Sequence, residues 1–167
     1  MDVRIRPATA EDVGAISDIY NYYVAHSTCT WDLEPENIES RRQWFAKGSE
    51  KHPRIVAEFG GEVVGWGSLS PYHLRPGYAA TVEFSVYVRH DQHKRGIGRM
   101  IVVDLIERAK AAGHHAVVGA ACSEQTGSLK LQESLGFKMA GRLPELGRKF
   151  GRWLDVVYMV LLLDKDG

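Results

Sequence analysis

Cysteine is scarce in this chain: Cys29 and Cys122 are the only two in 167 residues. Two thiols so far apart make no disulfide framework, which leaves the fold to a hydrophobic core and makes a reducing compartment the default expectation. Net charge is missing too, since 21 Lys and Arg balance 21 Asp and Glu. A neutral chain lacks the broad positive field that nucleic acid or an anionic membrane needs, so neither is expected as a partner and any phosphate must be met locally. No apolar run is long enough to span a bilayer, and Met1-Asp2-Val3-Arg4-Ile5-Arg6-Pro7 carries charges where a signal peptide needs an apolar centre. A cytoplasmic protein is expected. Of the seven histidines, His90 and His93 fall in a loop, and the adjacent His114 and His115 would point to opposite faces of a strand. No zinc-like set of Cys and His results, and no metal is expected.

What the chain does have is regular patterning, with no repeat, linker or low-complexity tract, so residues 1–167 are read as one domain. Residues 3–6 alternate like a short strand, and Thr9 with Asp12 resembles a capping pair ahead of Val13, Ile16, Ile19, Tyr20, Tyr23 and Val24 at helical spacing. Pro35 opens a second predicted helix to about Lys47, with Ile38, Arg42 and Phe45 as its stripe and Gly48 as its stop. Residues 54–59 and 63–69 read as a hairpin around Gly60-Gly61, followed by a polar loop at 70–79. In 81–89, Val82, Phe84, Val86 and Val88 face one way and Glu83, Ser85 and Tyr87 the other. A helix at 100–112, a buried strand at 115–121, a helix at 125–135 and strands at 137–143 and 153–163 complete the prediction. A strand, helix and strand in succession imply a parallel crossover within one mixed sheet flanked by helices. The last strand is apolar on both faces and is expected to be covered by helices or by a second subunit, which favours a homodimer.

The chemistry concentrates where the 81–89 strand meets the 100–112 helix, at His93-Lys94-Arg95-Gly96-Ile97-Gly98-Arg99. Gly96 and Gly98 let the backbone turn tightly and aim consecutive amides at a phosphate beside the positive end of a helix. Lys94, Arg95 and Arg99 add charge, and each charge-assisted bond is worth about 1.5–3 kcal/mol. The Gly-Lys-Ser/Thr ending of a triphosphate loop is absent, and so is the third glycine of a dinucleotide fingerprint.

This strand, loop and helix, together with Ser128-Leu129-Lys130-Leu131 ahead of Leu135-Gly136-Phe137, resemble the GCN5-related N-acetyltransferase superfamily nearly end to end. Ile19-Tyr20-Asn21, the segment Thr81 to Val88 and Lys149-Phe150-Gly151-Arg152-Trp153-Leu154-Asp155 are similar to its phosphinothricin and methionine sulfoximine acetyltransferase branch. The resemblance implies an α/β fold with a mostly antiparallel mixed sheet that splays into a V between its fourth and fifth strands. It implies acetyl-CoA in that opening, with the pantetheine arm paired to backbone groups of Val86, Tyr87 and Val88 as an added strand. The pyrophosphate would rest on Lys94, Arg95, Gly96, Ile97, Gly98 and Arg99, with Gln125 and Ser128 touching the cofactor from the next helix.

Glu83 is the expected general base, because an amino-acid amine is mostly protonated at neutral pH and must lose a proton before it can attack. Arg75, Gly77 and Tyr78, in the loop after the hairpin, are candidates to hold an acceptor carboxylate, with Trp31 as an apolar wall. Phe150 and Arg152 are placed by the resemblance at the pocket rim and dimer contact. The sequence departs from the family pattern at His93, Gln125 and Gln132. Gln132 stands where the wider superfamily has a Tyr that protonates the leaving thiolate, so Tyr87 or water is the substitute. The expected function is acetyl transfer from acetyl-CoA to a small amino-acid-like amine by direct attack in a ternary complex, since neither cysteine lies beside an evident base. A protein N-terminus, a lysine or an aminoglycoside as acceptor, or an acyl-CoA sensor without turnover, stay open at this point.

Overall fold

The computed structural model describes residues 2–163, in the order β1 (Arg4–Pro7), α1 (Val13–His26), α2 (Ile38–Ala46), β2 (Arg54–Phe59), β3 (Glu62–Pro71), β4 (Thr81–Val88), α3 (Ile97–Ala111), β5 (Ala116–Cys122), α4 (Thr126–Ser134), β6 (Lys138–Lys149) and β7 (Arg152–Leu162). The strands form one sheet in the order β1-β2-β3-β4-β5-β7-β6, antiparallel except for the β4–β5 pair, whose crossover contains α3.

Ile55, Val56 and Ala57 are all buried yet serve two cores, as strand alternation demands. Ile55 and Ala57 pack with the α3 stripe of Ile97, Ile101, Val102, Leu105, Ile106 and Ala109. Val56 packs on the other face with Ile16, Ile19, Tyr20, Tyr23 and Val24 of α1 and with Trp66. β3 repeats the device. Trp66 faces α1, while a Cβ on its neighbour Gly67 would stand 2.5 Å from Ile101 Cγ2, so glycine there lets α3 lie close to the sheet.

Several boundaries differ from those predicted. Asn37, not Pro35, starts the second helix: its Oδ1 accepts from the Ser40 amide at 2.8 Å. The side of α2 turned inward is Arg41 rather than Ile38 and Arg42, which are exposed. The Arg41 guanidinium pairs with Glu36 and lies 4.6 Å from the ring centres of both Tyr20 and Trp44, so stacking compensates the buried cation. α3 begins three residues early because Gly96, at φ 76°, caps it. The last hairpin is longer than predicted and closes on Phe150 and Gly151 alone, both at positive φ as a two-residue primed turn requires. β7 lies inside the sheet between β5 and β6, with Val156, Val157 and Met159 buried within the chain. Val157 and Met159 join the main core with the α3 stripe, so helices cover that face, as one of the two expectations had it.

Candidate active site

β4 and β5 pair only at Thr81–Ala116, Val82–Val117 and Glu83–Val118. Beyond Glu83, β4 remains bonded to β3 alone as far as Val88, and β5 to β7 alone as far as Cys122. The two strands part at a floor filled by side chains. A Cβ on Gly119 would meet Gln132 Oε1 at 2.0 Å and the Phe84 ring at 2.7 Å, and Phe84 in turn packs edge-on against Phe137. One edge of residues 84–88 is thus left without a strand neighbour, which is the geometry that edge augmentation needs.

Two cavities meet at this opening. One, of about 180 Å³, lies between β4 and β5 and is lined by Cys29, Thr30, Ser85, Tyr87, Gln125 and Ser128 among others. The second, of about 380 Å³, is walled by Leu33, Leu146, Arg148, Val156 and Tyr158. Trp31, Glu83 and Ala120 belong to both. A larger cavity of about 600 Å³ between α2 and the C-terminal end of α3 has no wall in common with either.

Burial alone pushes the Glu83 carboxyl above its ordinary pKa. Tyr158, pushed up mainly by burial and then by the negative charge of Glu83 and by Tyr72, completes a titratable pair on the second cavity. Cys29 is driven up by burial despite Lys149 nearby, so its thiol is kept out of the thiolate form.

At the mouth of the first cavity, the loop of residues 93–99 turns through Lys94 at φ 62° and Gly96 at φ 76° into α3. The first amides of a helix have no carbonyl partner within it and point outward. Gly98 lies in this turn, and a Cβ there would make only ordinary contacts, 3.6 Å to Val88 and 3.9 Å to Leu131. The chain's own packing therefore does not demand glycine at 98. Arg95 donates to Gln92 and Arg99 to Ser134, both at 2.9 Å. His93 stacks parallel to Tyr23, and both meet the Val88 carbonyl at the end of β4. Gln125 donates to Thr28 Oγ1 at 2.9 Å, tying the start of α4 to the loop that carries Trp31.

The other residues singled out in the sequence lie apart from this centre. Arg75, Gly77 and Tyr78 are exposed and line neither cavity; Tyr78 packs edge-on against Tyr72. Phe150 is exposed in the hairpin turn, and Arg152 forms a two-pronged pair with Glu124. The cation on the wall of the second cavity is instead Arg148, whose guanidinium lies 4.8 Å from the Trp153 ring centre. Gln132, expected at the leaving group, is only 2% exposed: it donates to Ser128 at 3.3 Å and packs on Gly119, lining neither cavity. Its Oε1 is buried with no hydrogen-bond partner among the described residues.

Sequence reasoning misses Tyr158 and Lys149. Tyr158 carries a signal, being the one polar-tipped side chain in the aliphatic run of residues 156–163. Lys149 carries none, because its partners lie more than a hundred residues away in the chain.

The chain matches the family described as Acetyltransferase (GNAT) domain over residues 5–158. An L-methionine sulfoximine/L-methionine sulfone acetyltransferase of Pseudomonas paraeruginosa is 41% identical, over 98% of this chain and 96% of that protein. A phosphinothricin N-acetyltransferase of Streptomyces coelicolor is 34% identical over 94% of each. A solved acetyltransferase structure from Salmonella typhimurium, with its cofactor acetyl-CoA, superposes with a TM-score of 0.95 at 35% identity, covering 100% of this chain and 97% of the other. With strands that part at Glu83 and a glycine-turned helix start beside them, matches of this extent make the chain a member of the GNAT acetyltransferase family.

Proposed function

We propose that this protein transfers an acetyl group from acetyl-CoA to the primary amine of a small amino-acid-like acceptor, by direct attack in a ternary complex. The observation that carries this is Glu83, a carboxylate on the wall common to two cavities at the point where β4 leaves β5. Acetyl-CoA supplies the activated acyl group. Its diphosphate fits the amides at Gly96, Ile97, Gly98 and Arg99, with Lys94 and Arg95 beside them, because the backbone there is open to close approach. Its pantetheine arm fits the exposed edge at Val86, Tyr87 and Val88, with Gln125 and Ser128 across the opening. A backbone N–H on that edge can stabilise charge developing on the thioester oxygen.

The amine enters from the second cavity. Glu83, its proton affinity raised by burial, takes a proton from the ammonium directly or through one water. Tyr87 lines the first cavity with its hydroxyl protonated, so Tyr87 or a water is the candidate to return a proton to the departing thiolate. Arg148 is the cation best sited for an acceptor carboxylate within one chain. Arg75, Gly77, Tyr78, Phe150 and Arg152 stand as acceptor contacts only if a second copy or a loop movement brings them in. A homodimer and a cytoplasmic location belong to this proposal; exposed Met139, Leu146, Phe150 and Trp153 on the β6–β7 hairpin offer an apolar surface for the former.

The alternative is an acyl-CoA sensor, which Gln132 suggests by standing in place of an acid; Glu83 and Tyr87 on the opening support turnover instead. Thiol release from acetyl-CoA, measured with methionine sulfoximine, methionine sulfone, phosphinothricin, an aminoglycoside and a peptide N-terminus, tests the reading. Turnover confined to the amino-acid-like amines is expected, with intersecting initial-rate lines. Calorimetric binding of acetyl-CoA with no release on any amine would instead make it a sensor, and ping-pong kinetics would eliminate direct attack.

A further inference from the structure

Lys149 is 3% exposed, and among the described residues its ammonium faces no paired carboxylate. Instead it donates to three carbonyl oxygens: Ser27 at 2.7 Å, Thr30 at 2.9 Å and Tyr23 at 3.4 Å. An ammonium has three N–H donors, and this arrangement engages all of them. Tyr23 lies in the last turn of α1, where a cation suits the negative end of the helix, and the other two carbonyls belong to the loop that leaves it. Lys149 therefore binds the helix end and the loop as one unit.

Two residues earlier on the same strand, Gly147 turns to the same face. A Cβ there would fall 2.0 Å from Trp31 Cζ3, with two more ring atoms within 2.6 Å, so the indole lies on the bare backbone of β6. The loop is tied on its other side as well. Tyr20 Oη meets Thr30 Oγ1 at 2.8 Å and donates to Asp32, the neighbours of Trp31 on either side. Trp31 is thus seated on Gly147 and flanked by residues that Lys149 and Tyr20 hold.

We propose that Gly147 and Lys149 form a latch on β6 that fixes Trp31 as the wall of the acceptor cavity and so sets which acceptor side chains are admitted. The inference rests on the acetyl-transfer reading and deepens it: these are positioning residues for acceptor choice, and neither takes part in the chemical step. The diphosphate loop at 93–99 meets the same helix end through the Tyr23 ring on His93, and its glycine turn takes no hydrogen bond from the latch, so the two substrates are expected to respond differently to its loss.

The experiment compares steady-state constants of wild type, Lys149→Met and Gly147→Ala with methionine sulfoximine and with alanine as a small acceptor. Lys149→Met keeps the length of the side chain and removes its donors. The KM for methionine sulfoximine is expected to rise about tenfold, the equivalent of losing one charge-assisted hydrogen bond at the low end of its range. The KM for acetyl-CoA should move less than about twofold, within the range of an unrelated site. Gly147→Ala is expected to shift the ratio of kcat/KM between the two acceptors about tenfold, because an added methyl displaces the indole by a fixed amount. Adding Trp31→Phe to Gly147→Ala should restore part of that ratio. Gly147 is only partly buried at the sheet edge, so this variant remains folded even if Lys149→Met does not. Unchanged acceptor preference in Gly147→Ala, or an acetyl-CoA KM that rises in step with the acceptor KM, would overturn the latch alone. Wild-type protein that releases no thiol with any amine would overturn the acetyl-transfer reading and the latch with it.

Discussion

The loop of residues 93–99 and the loop of residues 27–32 flank the same opening but are made in opposite ways. The first takes its shape from its own backbone, with Lys94 and Gly96 at positive φ and a helix start directly behind. The second contains no glycine, and none of its residues takes a positive φ. It is held from outside: by Tyr20 through Thr30 and Asp32, by Lys149 through two carbonyls, by Gln125 and Glu124 through Thr28, and by the bare surface of Gly147. A diphosphate is the same in every acyl-CoA and can be met by backbone amides, whatever the side chains nearby. An acceptor amine varies, and a wall built from long-range side-chain contacts can change without disturbing the cofactor loop.

The strongest test acts where the two halves join. Glu83→Gln should lower kcat/KM by about 10²–10⁴, the usual contribution of a positioned base, while leaving both KM values near wild type. In wild type the acid limb of the pH–rate profile should lie above the ordinary carboxylate range, because burial raises the Glu83 pKa; the variant should lose that limb. The sign for stability is opposite to that for activity. A carboxyl whose folded pKa exceeds its unfolded pKa stabilises the fold when protonated, at low pH, and that contribution disappears as pH rises through the folded pKa. The ionised Glu83 is therefore a cost at neutral pH, and calorimetry should find Glu83→Gln melting higher than wild type.

Gly96→Val strains only the cofactor side. A β-branched residue at φ 76° costs about 1–2 kcal/mol, so the acetyl-CoA KM should rise roughly tenfold with the acceptor KM unmoved. Tyr20→Phe should do the reverse. Loss of a hydrogen bond worth about 1 kcal/mol loosens the Trp31 loop and raises the acceptor KM about fivefold, with little change for acetyl-CoA. If both variants shifted both constants equally, the separation between the two loops would be wrong. Gly98→Ala should be the mildest. Its Cβ meets only ordinary contacts, so stability should stay within about 0.5 kcal/mol of wild type, and a rise in acetyl-CoA KM would then report close approach of the ligand to the backbone.

Much of the fold and part of the site are legible in the residues alone. The alternation through 81–89 puts Val82, Phe84, Val86 and Val88 on the α3 core as expected. Tyr87 on the other face, however, packs in the second core, and Phe84 and Val86 line the opening together with Glu83, Ser85 and Tyr87. The Thr9–Asp12 pair forms as expected, with the Thr9 amide donating to Asp12 Oδ2 at 2.7 Å. Arg152 escapes such a reading because its partner Glu124 is remote in sequence, and Gln132 because a helix position does not reveal whether it faces a cavity or the floor beneath it. Arg41 is hidden for a related reason: a buried arginine breaks the apolar stripe by which a helix's inner face is recognised.

By itself the sequence determined what depends on neighbours along the chain: strand and helix periods, the tight glycine turn ahead of α3, and a carboxylate on the polar side of a strand. Only the tertiary structure decided where the β4–β5 pairing stops, which two cavities Glu83 joins, and that Lys149 and Gly147 hold Trp31. Backbone preferences act over a few residues, whereas a cavity and its walls exist only once segments more than a hundred residues apart are packed together.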